Sequence, residues 1–222
     1  MNRTADVVIV GAGVIGSATA FELAKRGYKT LNIDKLPASG YGSTSNSCAI
    51  VRAHYSTWDG VAMAYEGFFY WADWNKYLEV EDERGMAKYM KTGSIMFMLK
   101  GADHTKKSLK LFKQIGVEHE VWDLETLKKK MPIYSHDSFN GTSRPDEDDS
   151  FFDKSGDQIE GAVWTPGSGY VSDPQLSTHN LQVATEAKGG EFLFNAEIME
   201  IRQSNGQIQG VTLKSGEQID CK

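Results

Sequence analysis

The spacing of apolar and polar residues changes several times along the chain, and each change marks an element. Val7–Val10 is a short unbroken β-branched run. Such a run, without polar alternation, reads as a strand buried on both faces. It stops at Gly11, and Gly13 and Gly16 follow with the spacing G-x-G-x-x-G. An Ala/Leu-rich segment then takes up helical spacing, with Ala20 and Leu23 on one side and Gly27 at its C-terminus. Residues 30–34 return to a strand pattern that ends in Asp34.

Beyond a Gly/Ser-rich loop at 35–47, residues 48–56 read as a strand-like segment, and 57–78 as one aromatic-rich helix. Ser56 or Thr57 is its expected N-cap. Strands are expected at 91–99, 117–122 and 159–164, and helices at 105–115 and from Asp123 to Lys130. Residues 135–157 are polar and acidic and read as an irregular exposed loop. Asp173-Pro174 opens a helix that Gly189-Gly190 ends. A short strand is expected at 191–194. Three more, at 196–203, 208–214 and Gln218–Cys221, are separated by Asn205-Gly206 and Ser215-Gly216 and read as a β-meander.

Composition narrows the function classes. The 222 residues are 40% hydrophobic and 24% charged, ordinary for a globular protein. A net charge of -6 gives no basis for nucleic-acid binding. Apolar runs are too short to span a bilayer, so no membrane partner is expected. The polar stretch at 1–6 leaves no room for a signal peptide, and the chain is expected to pass from it straight into the first strand. Cys48 and Cys221 lack metal-ligand spacing, so the expected setting is the reducing cytoplasm and no metal is expected.

Two stretches carry chemistry. In the glycine motif, Gly11 permits a turn, Gly13 admits a pyrophosphate close to the backbone, and Gly16 lets the helix pack on the strand. The helix start favours phosphate, and a carboxylate at Asp34 suits a ribose. The hydroxyls of 43–45 are candidates for the second phosphate. The second stretch is Arg52-Ala53-His54-Tyr55, where an arginine has the planar donor geometry to clamp a carboxylate. His54 reads as structural.

Together these residues resemble the D-amino-acid-oxidase-like superfamily of FAD oxidoreductases, within it the sarcosine oxidase and dehydrogenase group. The resemblance rests on the extended glycine motif, Asp34-Lys35, the Ser/Thr loop, Ala49-Ile50-Val51-Arg52-x-x-Tyr55, Gly169-Tyr170-Val171-x-Asp173-Pro174 and the meander. It implies an α/β fold: a Rossmann-like FAD-binding domain with a β-meander, at 1–90 and 166–222, and an inserted α+β substrate domain at 91–165. It implies FAD held by Gly11, Gly13, Ile15, Gly16, Asp34, Lys35, Ser43, Thr44, Ser45 and Ile198. It also implies hydride transfer from a small N-methylated or secondary amino acid, with Arg52 on the carboxylate and Tyr55 nearby; oxygen or an electron carrier then reoxidises the flavin. Sarcosine oxidases carry another arginine where this chain has Ala49. Members of the group are longer, so this chain is expected to lack a C-terminal half or a partner subunit, leaving both domains incomplete. Two rival readings stay open on the residues: a nicotinamide-dependent dehydrogenase, and an FAD-binding fragment without turnover.

Overall fold

The computed structural model describes residues 3–101, 103–140 and 144–221. In chain order the first elements are β1 (Arg3–Ala5), β2 (Val7–Val10), α1 (Val14–Lys25), β3 (Thr30–Ile33), β4 (Ile50–Val51), α2 (Trp58–Ala72) and α3 (Trp74–Leu78). Next come β5 (Tyr89–Met90), β6 (Ser94–Met98), α4 (Asp103–Ile115), β7 (Glu120–Asp123), α5 (Leu124–Lys130), β8 (Asp137–Phe139) and β9 (Lys154–Gln158). The last are β10 (Gly161–Thr165), β11 (Gly169–Val171), α6 (Pro174–Ala187), β12 (Glu191–Leu193), β13 (Ile198–Ser204), β14 (Gln207–Leu213) and β15 (Gln218–Cys221). They form two compact units: Met1–Ile50, Tyr70–Met90 and Tyr170–Lys222 make the first, Val51–Phe69 and Lys91–Gly169 the second. Among the described residues no helix is long and apolar enough to cross a membrane.

The first unit has a parallel sheet in the order β12-β3-β2. Its central strand, β3, is buried at all four residues, as a parallel strand covered on both faces must be. α1 and α6 pack together, and both carry small buried residues: Ser17, Ala20 and Ala24 on one helix and Ser177 and Ala184 on the other. Asp173 caps α6 by accepting from Leu176 N at 2.9 Å, with Pro174 at the first turn as expected.

The meander β13-β14-β15 is antiparallel, and Asn205 and Gly206 turn its first hairpin with positive φ of 51° and 77°. One expectation needs correction here. The chain does not enter β2 directly from a polar lead: Arg3–Ala5 forms a strand of its own, parallel to β15 from Arg3↔Ile219 to Ala5↔Cys221. Burial of Ala5 beside Ile219, Leu31, Ile33, Val211 and Leu213 gives that strand its reason.

The second unit has an antiparallel sheet in the order β6-β10-β7. Neighbouring residues on β10 face opposite ways. Val163 joins Ala53, Val61, Phe68, Phe112 and Val117, while Ala162 joins Trp122, Leu127 and Ile159. The α2/α4 side and the α5 side of the sheet are thus separate cores. Asp123 caps α5, its Oδ1 accepting from Thr126 N at 2.8 Å.

Three further expectations are corrected. The single helix at 57–78 is two helices, α2 and α3, broken at Asp73. Thr57 does cap the start, its Oγ1 accepting from Gly60 N at 3.3 Å. The break brings Trp74 inward, where its Nε1 donates to Asn180 Oδ1 at 3.2 Å. The loop at 135–157 contains a hairpin, β8 with β9, paired at Asp137↔Gln158 and Phe139↔Lys154. All five β9 residues are exposed, so no apolar alternation marked it. The strand-like segment at 48–56 keeps only two strand residues, β4.

Asn180 is fully buried and uses its whole amide. Its Nδ2 donates to Asp82 Oδ2 at 2.8 Å and Gly85 O at 2.9 Å, and its Oδ1 accepts from Trp74 Nε1 and Ala87 N. Asn180→Leu leaves a buried carboxylate and three other groups short of a partner. It is expected to destabilise the protein by about 3 kcal/mol or more in urea unfolding. A loss under about 1 kcal/mol would show that this network carries no weight.

Candidate functional site

The site in the first unit begins at the turn after β2. Gly11 has φ 101°, a conformation that an L side chain strains to adopt. Its N–H donates to Ile33 O at 2.8 Å, and its carbonyl accepts from Asn32 Nδ2 at 3.2 Å. A Cβ on Gly16 would lie 2.2 Å from Gly11 O, so only glycine lets the turn fold against the first turn of α1. Gly13 stands just before α1, and a Cβ there would lie 3.1 Å from Thr44 Oγ1.

The buried Ala12 donates its N–H to Asp34 Oδ2 at 2.7 Å, and Leu36 N donates to Asp34 Oδ1 at 2.9 Å. Backbone on both sides therefore fixes the carboxylate at the end of β3. A carboxylate offers about four acceptor positions, so two remain for hydroxyl donors such as those of a ribose.

The loop after Asp34 folds back over the helix start. Gly40 N donates to Ala12 O at 2.8 Å, and Thr44 Oγ1 accepts from Val14 N at 3.1 Å. Thr44 is buried, while Ser43 and Ser45 are exposed, Ser45 Oγ donating to Gly42 O at 3.1 Å. The first N–H groups of a helix have no partner within it and carry its positive end. No acidic side chain stands in the first turn of α1, and Ile15 there is 81% exposed. Thr44 takes one of these N–H groups, that of Val14, and no acidic side chain competes for the others.

A cavity of about 540 Å³ lies where β3 and β12 end, lined among others by Lys35, Phe194, Asn195, Glu197 and Lys214. Ligands of open α/β sheets bind at these carboxyl ends of strands. Lys214 Nζ pairs with Glu197 at 2.8 Å, and Lys35 is exposed. Ile198 opens β13, and its side chain packs against the Val211–Ile219 core cluster. Its neighbour Glu197 lines the cavity. A helix start without acidic side chains, a fixed carboxylate and a cavity beyond it fit a dinucleotide such as FAD: Gly11, Gly13 and Gly16 with the helix start would take its pyrophosphate, and Asp34 its ribose.

Arg52 and Tyr55 belong to the second unit. Both are exposed, with the guanidinium 5.9 Å from the Tyr55 ring centre. Among the described residues no ion pair engages Arg52. His54 is half-buried, and its Nε2 meets Thr165 Oγ1 at 3.0 Å. Burial first, and then the charge of Arg52, lower the imidazole pKa to about 4. His54 is thus a neutral ring at physiological pH.

The acidic stretch at 146–149 builds a turn, with Asp148 Oδ1 accepting from Ser150 N at 2.9 Å and Ser150 Oγ at 2.7 Å. Among the described residues no group of metal-binding side chains occurs. Sequence reasoning did not single out Asn32, Ala12 or Thr165. For Asn32 a signal existed: an amide within the otherwise apolar run Leu31-Asn32-Ile33.

A family model described as DAO, FAD dependent oxidoreductase, matches residues 6–221. A putative sarcosine oxidase of Caenorhabditis elegans is 30% identical over 65% of this chain and 36% of its own length. A monomeric sarcosine oxidase of Streptomyces avermitilis is 26% identical over 87% of this chain and 44% of its own. The crystal structure of L-proline dehydrogenase from P. horikoshii superposes with a TM-score of 0.76 at 21% identity, over all of this chain and 52% of that one. That likeness shows the fold. The chain spans about half or less of the length of these three proteins.

Two outcomes follow from this geometry. Gly16→Ala drives a methyl into the Gly11 carbonyl, and the backbone there cannot yield cheaply. It is expected to cost about 2 kcal/mol or more of stability and to weaken FAD binding in a fluorescence titration; unchanged stability and affinity would refute the packing. The second outcome concerns pH. Between the ordinary histidine pKa of 6.5 and about 4, the unfolded chain takes up a proton that folded His54 refuses. Stability on this account is complete above that window and falls as pH drops through it. His54→Phe should flatten that part of the thermal melting profile, and identical profiles would exclude the role.

Proposed function

The chain belongs to the DAO family of FAD-dependent oxidoreductases, and from that premise we propose that it serves oxidation of a small N-methylated or secondary amino acid, sarcosine-like in size and charge. Bound FAD supplies the hydride acceptor for the carbon next to nitrogen, and the resulting imine hydrolyses in water. The chain's own groups bind and orient. The start of α1 and the loop at 43–45 hold the phosphates, and Asp34 the adenosine ribose. Lys35 and the backbone at Ile198 border the adenine. Arg52 takes the substrate carboxylate through paired N–H donors, so that the amine-bearing carbon is presented in one orientation. Tyr55 stacks beside that guanidinium.

The observation that carries the substrate reading is the exposed Arg52 guanidinium, which no ion pair engages among the described residues. An arginine without a carboxylate partner is a ready receptor for one. The family match favours FAD over a nicotinamide. Oxygen or an electron carrier completes the cycle, and two free cysteines fit a reducing, cytoplasmic setting.

Arg52→Ala in the flavin-loaded protein is expected to raise KM for sarcosine-like carboxylates about 100-fold, the loss of roughly 3 kcal/mol of charge-assisted hydrogen bonding. Arg52→Lys should recover only part, because an ammonium cannot bind both carboxylate oxygens in the same plane. An unchanged KM in Arg52→Ala removes the carboxylate role.

A further inference from the structure

Arg52 is exposed, yet the backbone beneath it is tightly held. Tyr55 N donates to Ala53 O at 2.9 Å, a three-residue turn with His54 at its centre. Ala53 is fully buried against Val61, Phe68 and Phe112. Ser108 Oγ donates to Tyr55 O at 3.0 Å. The third anchor is His54 itself, whose ring lies 5.6 Å from that of Phe112 and whose Nε2 reaches Thr165 Oγ1.

The Thr165 hydroxyl is unusually well supplied, with the Ser94 carbonyl 3.4 Å away as well as three side-chain partners. It meets Ser168 Oγ at 2.8 Å and Ser94 Oγ at 2.9 Å, with Thr165 and Ser168 fully buried. A threonine hydroxyl donates one hydrogen bond and accepts two. With Ser94 and Ser168 donating to it, its one proton goes to the nearer acceptor, His54 Nε2 at 3.0 Å rather than Ser94 O at 3.4 Å, and every position is filled. Such a saturated buried cluster fixes its members in place.

We propose that His54 is a positioning residue for substrate binding: through the Thr165–Ser94–Ser168 hydroxyl cluster it locks the turn at 53–55 and thereby sets the aim of the Arg52 guanidinium. The inference rests on the reading of Arg52 as the carboxylate receptor. The physical gain is preorganisation, since an exposed arginine is rich in rotamers that must be frozen on binding. A neutral imidazole suits the task better than a second cation, because it holds the backbone without offering a competing site for the carboxylate.

The test uses His54→Phe, which keeps the ring on Phe112 but loses the hydrogen bond, and Thr165→Val, which removes the hydroxyl with little change of shape. Both should raise KM for the carboxylate substrate about tenfold more than they lower kcat. His54→Gln, whose amide still reaches a hydroxyl, should recover most of the loss. A second readout needs no turnover: the Arg52 Nε–H resonance in a ¹H–¹⁵N spectrum, identified by its absence in Arg52→Lys. It should shift or broaden in His54→Phe and Thr165→Val and return in His54→Gln. If KM and the Arg52 resonance stay as in the wild type while only the melting temperature falls, His54 is a packing residue and the inference is overturned. If Arg52→Ala leaves KM unchanged, the carboxylate reading fails, and the Arg52 resonance still decides whether His54 aims that side chain. Should His54→Phe fail to fold, Thr165→Val and His54→Gln carry the same comparison.

Discussion

The hydrogen bond from Ala12 N to Asp34 Oδ2, at 2.7 Å, ties the turn after one strand to the end of the next. Much of the first unit depends on it. A charged acceptor makes this bond stronger than its neutral backbone neighbours. It holds the turn where Gly16 packs under Gly11 O, and that packing sets the start of α1. The loop after Asp34 is then fastened over the same place by Gly40 N and Thr44 Oγ1. A single constraint thus serves two ends. It sets the start of α1, and it fixes a carboxylate that still has acceptor positions to spare.

The second unit solves a different problem, presenting a cation on a segment with almost no regular structure. β4 ends at Val51, and α2 does not begin until Trp58. Between them, order comes from single anchors: a buried alanine, a serine hydroxyl on a carbonyl, and an imidazole on a buried threonine. Precise presentation by an irregular segment is common where binding residues sit on loops carried by a rigid scaffold. The scaffold here is the β6-β10-β7 sheet with its separate cores on its two faces.

The parts legible in the sequence are those where backbone geometry dictates residue type. Gly11 announces the turn by its positive φ and Gly16 by the carbonyl a Cβ would strike, and Asn205-Gly206 announces the hairpin by its positive φ angles. Asp123 and Asp173 mark helix starts because unpaired N–H groups need an acceptor. The rest depended on distant partners. β1 exists because Ala5 lies beside Ile219, far along the chain. The break between α2 and α3 follows from Trp74 turning to meet Asn180, a partner 106 residues away. The β8–β9 hairpin is exposed and polar, so its strands lack the alternation that burial imposes. Of the candidate residues in either unit, the glycines, Asp34 and Arg52 stood out, whereas the contact from His54 to Thr165 spans 111 residues and had no local signature.

We read the turn, the fixed carboxylate and the cavity as one site for a flavin dinucleotide. The most direct measurement is a fluorescence and absorbance titration of the flavin-free protein with FAD, with FMN and NAD as competitors. FMN lacks the adenosine that Asp34 and the cavity beyond it would hold, and NAD lacks the flavin. FAD is expected to bind stoichiometrically, displaced by neither competitor at comparable concentration. Equal binding of FAD and FMN, or displacement of FAD by NAD, would contradict it.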